Sequence, residues 1–403
     1  MKKNVIIILG DCIGADYLYN DNSLYIPTIR RLGAKGVVFR NVITSTPWTN
    51  PSLSSLFTGI YSHKLDLYKY RAGFPGDVKL IQEYFKEQQY NVACFFGTKK
   101  LFSESRVYEN GTTRDIPDIL DWIGKNCDNS FFLFLHYWQA HIPYFYRYSK
   151  KGWYEGKDSI MELLQTKDGR QKVKDLYRHS IERFSEEFVY SIVEKCIDLN
   201  IFNNTHLIIT ADHGDSFGER DVEFKELDLF SMHGKSLYQE TLKVPLIYIG
   251  SDVPSGKEIK SQVRSIDTVP TLLELHKMEK DKNFRGIDGK SLVDVWNGNE
   301  EGNRSALAST TYGYWPSDEE PSQAFSLYAA LDGDWKVIYD RREDKWLGYN
   351  LNKDPGESNP IEIETSEALK GLKEQLIKEI PEEEIAEEEQ RVLKERLQDL
   401  GYL

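Results

Sequence analysis

Two segments far apart in the chain end apolar runs in residues that can bind a cation. Leu207-Ile208-Ile209-Thr210-Ala211 leads into Asp212-His213-Gly214-Asp215, and Val5-Ile6-Ile7-Ile8-Leu9 leads into Gly10-Asp11. A carboxylate next to an imidazole at the carboxyl end of a strand offers oxygen and nitrogen to a divalent metal, on the rim where α/β sheets bind ligands. If the two strands lie side by side, Asp11 joins Asp212 and His213 on that rim. Asp and Gly also follow strands as helix caps or turn formers, which for Asp11 alone is an equally good account. For Asp-His-Gly behind a buried run it is the weaker one.

A nucleophile and proton donors are available nearby in type. Thr49-Asn50-Pro51-Ser52-Leu53-Ser54-Ser55 has proline placed for the first turn of a helix, which puts Thr49 at or just before the helix start, in the positive end of its dipole. A divalent metal could ionise a hydroxyl there. Taken alone, Thr49 or Ser52 reads as a helix cap. His136-Tyr137-Trp138-Gln139-Ala140-His141 follows another apolar run, and His233-Gly234-Lys235 precedes the run from Val244 to Ile249. One histidine beside an apolar run is usually structural, whereas four at strand ends suggest a shared site.

The elements that must position these residues alternate. Val5 to Leu9, Val92 to Phe96, Phe131 to Leu135, His206 to Thr210 and Val244 to Ile249 read as buried strands, and Asp77 to Gln88 and Ser180 to Leu199 carry helical spacing. The pattern predicts an α/β fold, a large, mainly parallel sheet sandwiched by helices with right-handed crossovers. After Gly286-Ile287-Asp288-Gly289, the aromatic-rich runs Ser326 to Leu331, Trp335 to Tyr339 and Trp346 to Asn350 predict a small antiparallel sheet, followed from Ile361 by an acidic helical tail. The expected division is a catalytic domain over 1–290 and a smaller subdomain over 291–403.

At 403 residues the chain can bury a sizeable core, and no apolar run approaches the roughly 18–20 residues of a membrane helix. A net charge of −13 argues against nucleic acid as a partner, since that demands basic surface, but not against a small anionic substrate held by a metal. Much of the acid sits around Glu382-Glu383-Glu384 and Glu387-Glu388-Glu389, as on a solvated helix face. Cys12, Cys94, Cys127 and Cys196 lack paired spacing and read as free thiols. Only Met1-Lys2-Lys3 precedes the first strand, with no cleavage site after the apolar stretch, so a cytoplasmic location is expected.

Together these motifs resemble the sulfatase family of the alkaline phosphatase superfamily along nearly the whole chain. The resemblance is carried by Asn4 to Asp11, Thr49-Asn-Pro-Ser52, Leu56-Phe-Thr-Gly-Ile-Tyr61, His141-Ile-Pro-Tyr144, Thr210-Ala-Asp-His-Gly214, His233-Gly-Lys235 running to Pro245, Gly348 to Asn359 and Leu400-Gly-Tyr-Leu403. It implies an alkaline-phosphatase-like fold in which Asp11, Asp212 and His213 bind one divalent metal and Thr49 is the nucleophile, its oxygen also on the metal. It further implies that Lys235, His233 and His141 hold the tetrahedral anion or protonate the leaving group. Two carboxylates roughly neutralise the metal, so these cations would offset charge building on the transferred group.

Departures from the family shape the expected chemistry. Its sulfatases carry Cys or Ser at the position of Thr49, convert it to formylglycine, and have Arg where this chain has Leu53. The β-methyl group of threonine blocks that aldehyde, and Thr matches the nucleophile of phosphodiesterases and phospholipid head-group transferases in the superfamily. Cys12 stands where many sulfatases have a second acidic ligand, and Gly14 where they have arginine. His213 beside Asp212 favours manganese or zinc over calcium, with magnesium also open. Asp175 and His179 have the i, i+4 spacing of a second metal pair but fall on a helix that reads as surface. The expected activity is a metal-dependent phosphodiester or phosphonate ester hydrolase or phosphotransferase. The rivals are a sulfatase acting without formylglycine and a degenerate binder of anionic glycans. The substrate would be a small anionic ester, sugar- or lipid-linked; Trp48, Trp138, Tyr144 and Tyr146 suit stacking on a sugar or base but equally suit a core. Oligomeric state is open.

Overall fold

The computed structural model describes residues 2–65, 67, 73–97, 102, 105–113, 115–144, 160, 162–218, 232–310, 327–341 and 343–380. Tyr146, Ser326, the acidic clusters at 382–389 and Leu400 to Leu403 lie outside the described residues.

The large sheet contains β1 (Asn4–Gly10), β2 (Val37–Ile43), β3 (Asn91–Phe96), β4 (Glu109–Thr112), β5 (Phe131–Tyr137), β6 (Thr205–Ala211), β7 (Lys243–Ile249), β8 (Lys257–Ile259) and β9 (Val263–Arg264). Their order is β4-β3-β5-β1-β6-β7-β2-β8, with β9 also beside β2. β1 pairs in parallel with both β5 and β6, in a register that sets Gly10 opposite Tyr137 and Ala211. The residues after these strands therefore emerge at one level, which brings Asp11 beside Asp212. All residues of β1, β5 and β6 are buried, as continuous apolar runs require when both faces are covered.

The sheet is parallel except at β7, which runs antiparallel to β6 and β2. Helices Ile81–Glu87, Ile116–Asn126 and Lys167–Arg183 lie among its covers, the last continuing through π-helical turns at Phe184–Val189 into Tyr190–Asp198. The spacing that predicted a helix from Asp77 yields one only from Ile81, because the Glu83 carboxylate accepts from the Leu80 amide and stops it there. The helix expected from Ser180 starts earlier, at Lys167, where the Thr166 hydroxyl accepts from the Gly169 amide.

The second sheet is antiparallel: β10 (Ala306–Thr310), β11 (Leu327–Asp332), β12 (Trp335–Asp340) and β13 (Lys345–Asn350). Helix Glu367–Glu379 covers it through Leu369, Leu372 and Leu376. It touches the segments flanking helix Thr49–Thr58 directly, since the Ser309 amide donates to the Ser45 carbonyl at 2.9 Å and His63 lies stacked on Tyr61 and edge-on to Tyr328. From β12, Lys336 forms a wholly buried ion pair with Glu357 at 2.5 Å, and Glu357 accepts from the Gln239 amide at 2.7 Å.

Candidate metal centre and active site

Asp212 follows the last residue of β6 with its carboxylate divided in function. Its Oδ1 accepts from the amides of Cys12 (3.0 Å) and His213 (2.9 Å), while Oδ2 is buried and has no hydrogen-bond partner. Asp11 is divided likewise: Oδ2 accepts from His136 Nε2 at 2.9 Å, and Oδ1 faces His213 Nε2 at 3.8 Å. His213 donates from Nδ1 to the Gly214 carbonyl at 3.0 Å, so in the neutral ring Nε2 carries the lone pair. That nitrogen lies 3.5 Å from Asp212 Oδ2 and 3.5 Å from Thr49 Oγ1.

Two carboxylate oxygens, an imidazole lone pair and a hydroxyl thus converge, with the Cys12 thiol donating to Asp11 Oδ1 at 3.0 Å. The ligand atoms of Asp11, Asp212 and His213 all lie within 4.8 Å of one another. Separations of about 3.5 Å are what a tetrahedral ion with bonds near 2.1 Å requires of neighbouring ligands. Burial pushes the Asp11 carboxyl up, but the His136 hydrogen bond and surrounding imidazoles outweigh it and hold the group well below its ordinary value. Burial and the charge on Asp11 push Asp212 up. The orphaned Oδ2 and the repulsion between these acceptors make the residues fit for a divalent cation.

Thr49 is the first residue of helix Thr49–Thr58, half-buried, and no side chain caps that helix. Ser52, a candidate cap on sequence grounds, does something else. Its buried hydroxyl donates to the Asp212 carbonyl at 2.8 Å and lies 3.0 Å from Thr44 Oγ1, tying the helix that carries Thr49 to the strand end that carries the ligands.

A second group faces the same space. His233 Nδ1 donates to Asp215 Oδ1 at 2.6 Å, and the Tyr144 hydroxyl donates to Asp215 Oδ2 at 2.6 Å. Burial lowers His233, but Asp215 outweighs it and the imidazole is raised above its ordinary value. His141 donates from Nδ1 to the Ile142 carbonyl at 2.7 Å, stacks on Trp138, and is lowered chiefly by burial. The His233 ring lies 4.6 Å from that of His213 and 5.0 Å from that of His141. Lys235 follows in a half-buried segment whose Gly234 sits against Trp48.

Asp11, Thr49, Asp212 and His213 are therefore gathered, with His141 and His233 beside them. Asp175 and His179 are on the surface, Asp175 with Gln171 and Arg178, His179 with Glu182. Tyr144 is almost wholly buried, so it supports Asp215 and does not line a mouth, whereas Trp48 and Trp138 are half-buried. Sequence reasoning placed His136 among the rim histidines and Ser52 as a helix cap without finding their partners, and gave no role to Asp215. The pairing of Leu9 with His136 carries the first signal, visible once β1 and β5 are neighbours.

The sulfatase family profile matches residues 3–278, and the profile for the C-terminal region of N-sulphoglucosamine sulphohydrolase matches residues 229–385. Arylsulfatase K of Xenopus laevis is 21% identical, the match covering 93% of this chain and 82% of that protein. The phosphonate monoester hydrolase of Agrobacterium radiobacter has a similar structure, with a TM-score of 0.74, 15% identity, and coverage of 94% of this chain and 95% of that one. So has a protein solved with its substrate D-glucosamine-2-N,6-O-disulfate, with a TM-score of 0.65, 16% identity, and coverage of 94% and 97%.

Proposed function

The chain belongs to the sulfatase family, within the alkaline phosphatase superfamily, and is a hydrolase of sulfuric or phosphoric esters; on that premise we propose that it cleaves a phosphodiester or phosphonate ester through a Thr49 nucleophile. The carrying observation is Thr49 itself, a secondary alcohol at a helix start with its Oγ1 3.5 Å from His213 Nε2. A β-methyl group bars oxidation to formylglycine, while a hydroxyl can attack phosphorus directly.

Asp11, Asp212 and His213 would hold one divalent ion, manganese or zinc by the imidazole ligand, whose Lewis acidity lowers the hydroxyl pKa and offsets charge on the ester. The rest is the work of side chains. Ser52 fixes the helix so that Thr49 Oγ1 faces the ester. An Oγ1–P bond forms as the bond from phosphorus to the leaving oxygen breaks, and the threonine proton passes to solvent. His233, oriented by Asp215, or His141 delivers a proton to the leaving oxygen, and Lys235 balances the anion. Water or an acceptor alcohol then cleaves the phosphothreonine. Half-buried Trp48 and Trp138 suit a sugar-linked leaving group, in keeping with the disulfated sugar bound by the relative above.

A sulfuric ester is the second reading, favoured by the family profile and by the likeness to arylsulfatase K. Metal-stripped protein reloaded with manganese, zinc, magnesium or calcium is assayed on aryl phosphate, aryl phosphodiester, aryl phosphonate ester and aryl sulfate. Diester or phosphonate turnover that disappears in Thr49→Ala and persists in Thr49→Ser is expected. Turnover of the sulfate alone, or full activity in Thr49→Ala, overturns the proposal.

A further inference from the structure

Cys12 is buried at the point where the two site clusters meet. Its Sγ donates to Asp11 Oδ1, the oxygen not engaged by His136, at 3.0 Å and lies 3.8 Å from His233 Nδ1. It shares ligand-atom groupings with Asp11 and His141 on one side and with His213, Asp215 and His233 on the other. The residue takes a left-handed backbone conformation, φ 61°, which residues bearing a β-carbon seldom adopt. The turn is pinned from both sides: the Cys12 amide donates to Asp212 Oδ1, and its carbonyl accepts from the Tyr177 hydroxyl at 2.6 Å, which in turn accepts from the Gly14 amide at 2.9 Å. Strained and held this way, the turn presents its sulfur to Asp11 Oδ1, a carboxylate oxygen that also faces His213 Nε2.

We propose that Cys12 is a ligand of the cation held by Asp11, Asp212 and His213, so that the centre is a mixed oxygen, nitrogen and sulfur site selecting a thiophilic metal such as zinc. This rests on the metal-binding reading of that site. Any cation bound to Asp11 Oδ1 is brought next to the sulfur, and the thiol proton leaves to solvent as the bond forms. A separate ion on Cys12, Asp215 and His233 is less well served, because both Asp215 oxygens are already engaged by His233 and Tyr144. Cys94, also buried, faces Gln82 and has no carboxylate or imidazole hydrogen-bonded to it.

The test is cobalt(II) titration of the metal-stripped full chain, followed by absorption spectroscopy. One equivalent with a thiolate-to-cobalt charge-transfer band in the near ultraviolet is expected. The band should be absent from Cys12→Ser at equal loading, retained in Cys94→Ser, and lost with the bound cobalt in Asp212→Ala. Cys12→Asp should reduce the preference for zinc over manganese by about tenfold or more. One bound equivalent with no such band in the unaltered chain overturns the sulfur ligand while leaving the metal site standing, and needs no variant to fold. A band that survives in Asp212→Ala assigns the sulfur to another ion and also overturns it. Failure to bind any cobalt overturns both this inference and the metal reading beneath it.

Discussion

Ser52 gives the sharpest test of how the fold positions the proposed nucleophile, Thr49, because Ser54 in the same helix supplies an internal control. Both hydroxyls are buried, but Ser54 bonds only to the Asn50 carbonyl one turn back, whereas Ser52 reaches the Asp212 carbonyl and Thr44. Replacement by alanine gains about 0.5 kcal/mol of helix propensity at either site. At Ser54 the lost local bond roughly cancels that gain, since such back-bonding slightly destabilises helices. At Ser52 the Asp212 carbonyl loses a buried donor, a cost of about 1–3 kcal/mol, leaving a net loss of about 1–2 kcal/mol. Urea unfolding of the two variants should differ by that amount. Activity should separate them further: a shift of about 1 Å in Thr49 costs on the order of 100-fold, so kcat of Ser52→Ala should fall about 10- to 100-fold, with Ser54→Ala within about twofold of the unaltered enzyme. If Ser52→Ala is destabilised yet fully active, the tether supports the fold and does not place Thr49, and the reasoning fails.

Other consequences can be measured independently of the metal. His63 is buried, both its ring nitrogens lack partners, and burial, with Lys64 adding, pushes its pKa down to about 4. The unfolded chain therefore takes up this proton first, near pH 6.5, and stability falls as pH drops from there to about 4. At about 1.4 kcal/mol per unit the loss approaches ~3 kcal/mol. His63→Phe should lose that much less across the window in urea midpoints, and an unchanged pH slope would count against it. Lys336→Met removes the buried cation that faces Glu357 and should cost about 3–5 kcal/mol, much of it regained in Lys336→Met/Glu357→Gln; equal stability of the single and double variants would contradict this. A β-carbon at Gly214 would sit 2.0 Å from the Glu240 carbonyl oxygen. Gly214→Ala should therefore displace His213 and lower metal content by plasma mass spectrometry even in protein that stays folded, and normal metal content would refute it.

The convergence of Asp11, Asp212 and His213 was legible because a parallel sheet converts adjacent apolar runs into aligned strand ends: Val5 to Leu9 and Leu207 to Ala211 each needed only the residues after them read. The same logic could not reveal β2, whose Arg40 and Asn41 interrupt the apolar pattern at a bulge between Phe39 and Val42, or the reversed direction of β7. β10 escaped because Ala306-Leu307-Ala308-Ser309-Thr310 has mostly small residues and little β-strand signature. Asp215 reads as an ordinary polar residue after Gly214 until the fold brings His233 against it, 18 residues on in sequence. Ser52 was weighed as a cap because local rules describe only its own helix, whereas its partner lies 160 residues away.

The place of β1 in the middle of the large sheet also imposes a timetable. It is made before both of its neighbours, β5 and β6, which begin at Phe131 and Thr205. At roughly 5–20 residues per second, about 10–40 s pass between the synthesis of β1 and that of β6. Until β5 is made an uninterrupted Val-Ile-Ile-Ile-Leu segment has neither permanent partner, and until β6 is made it has only one, a natural client for a holding chaperone. A cation held by Asp11, Asp212 and His213, as proposed, would be captured only after His213 has emerged, so the cell's free metal pool at that moment would decide which ion fills the site.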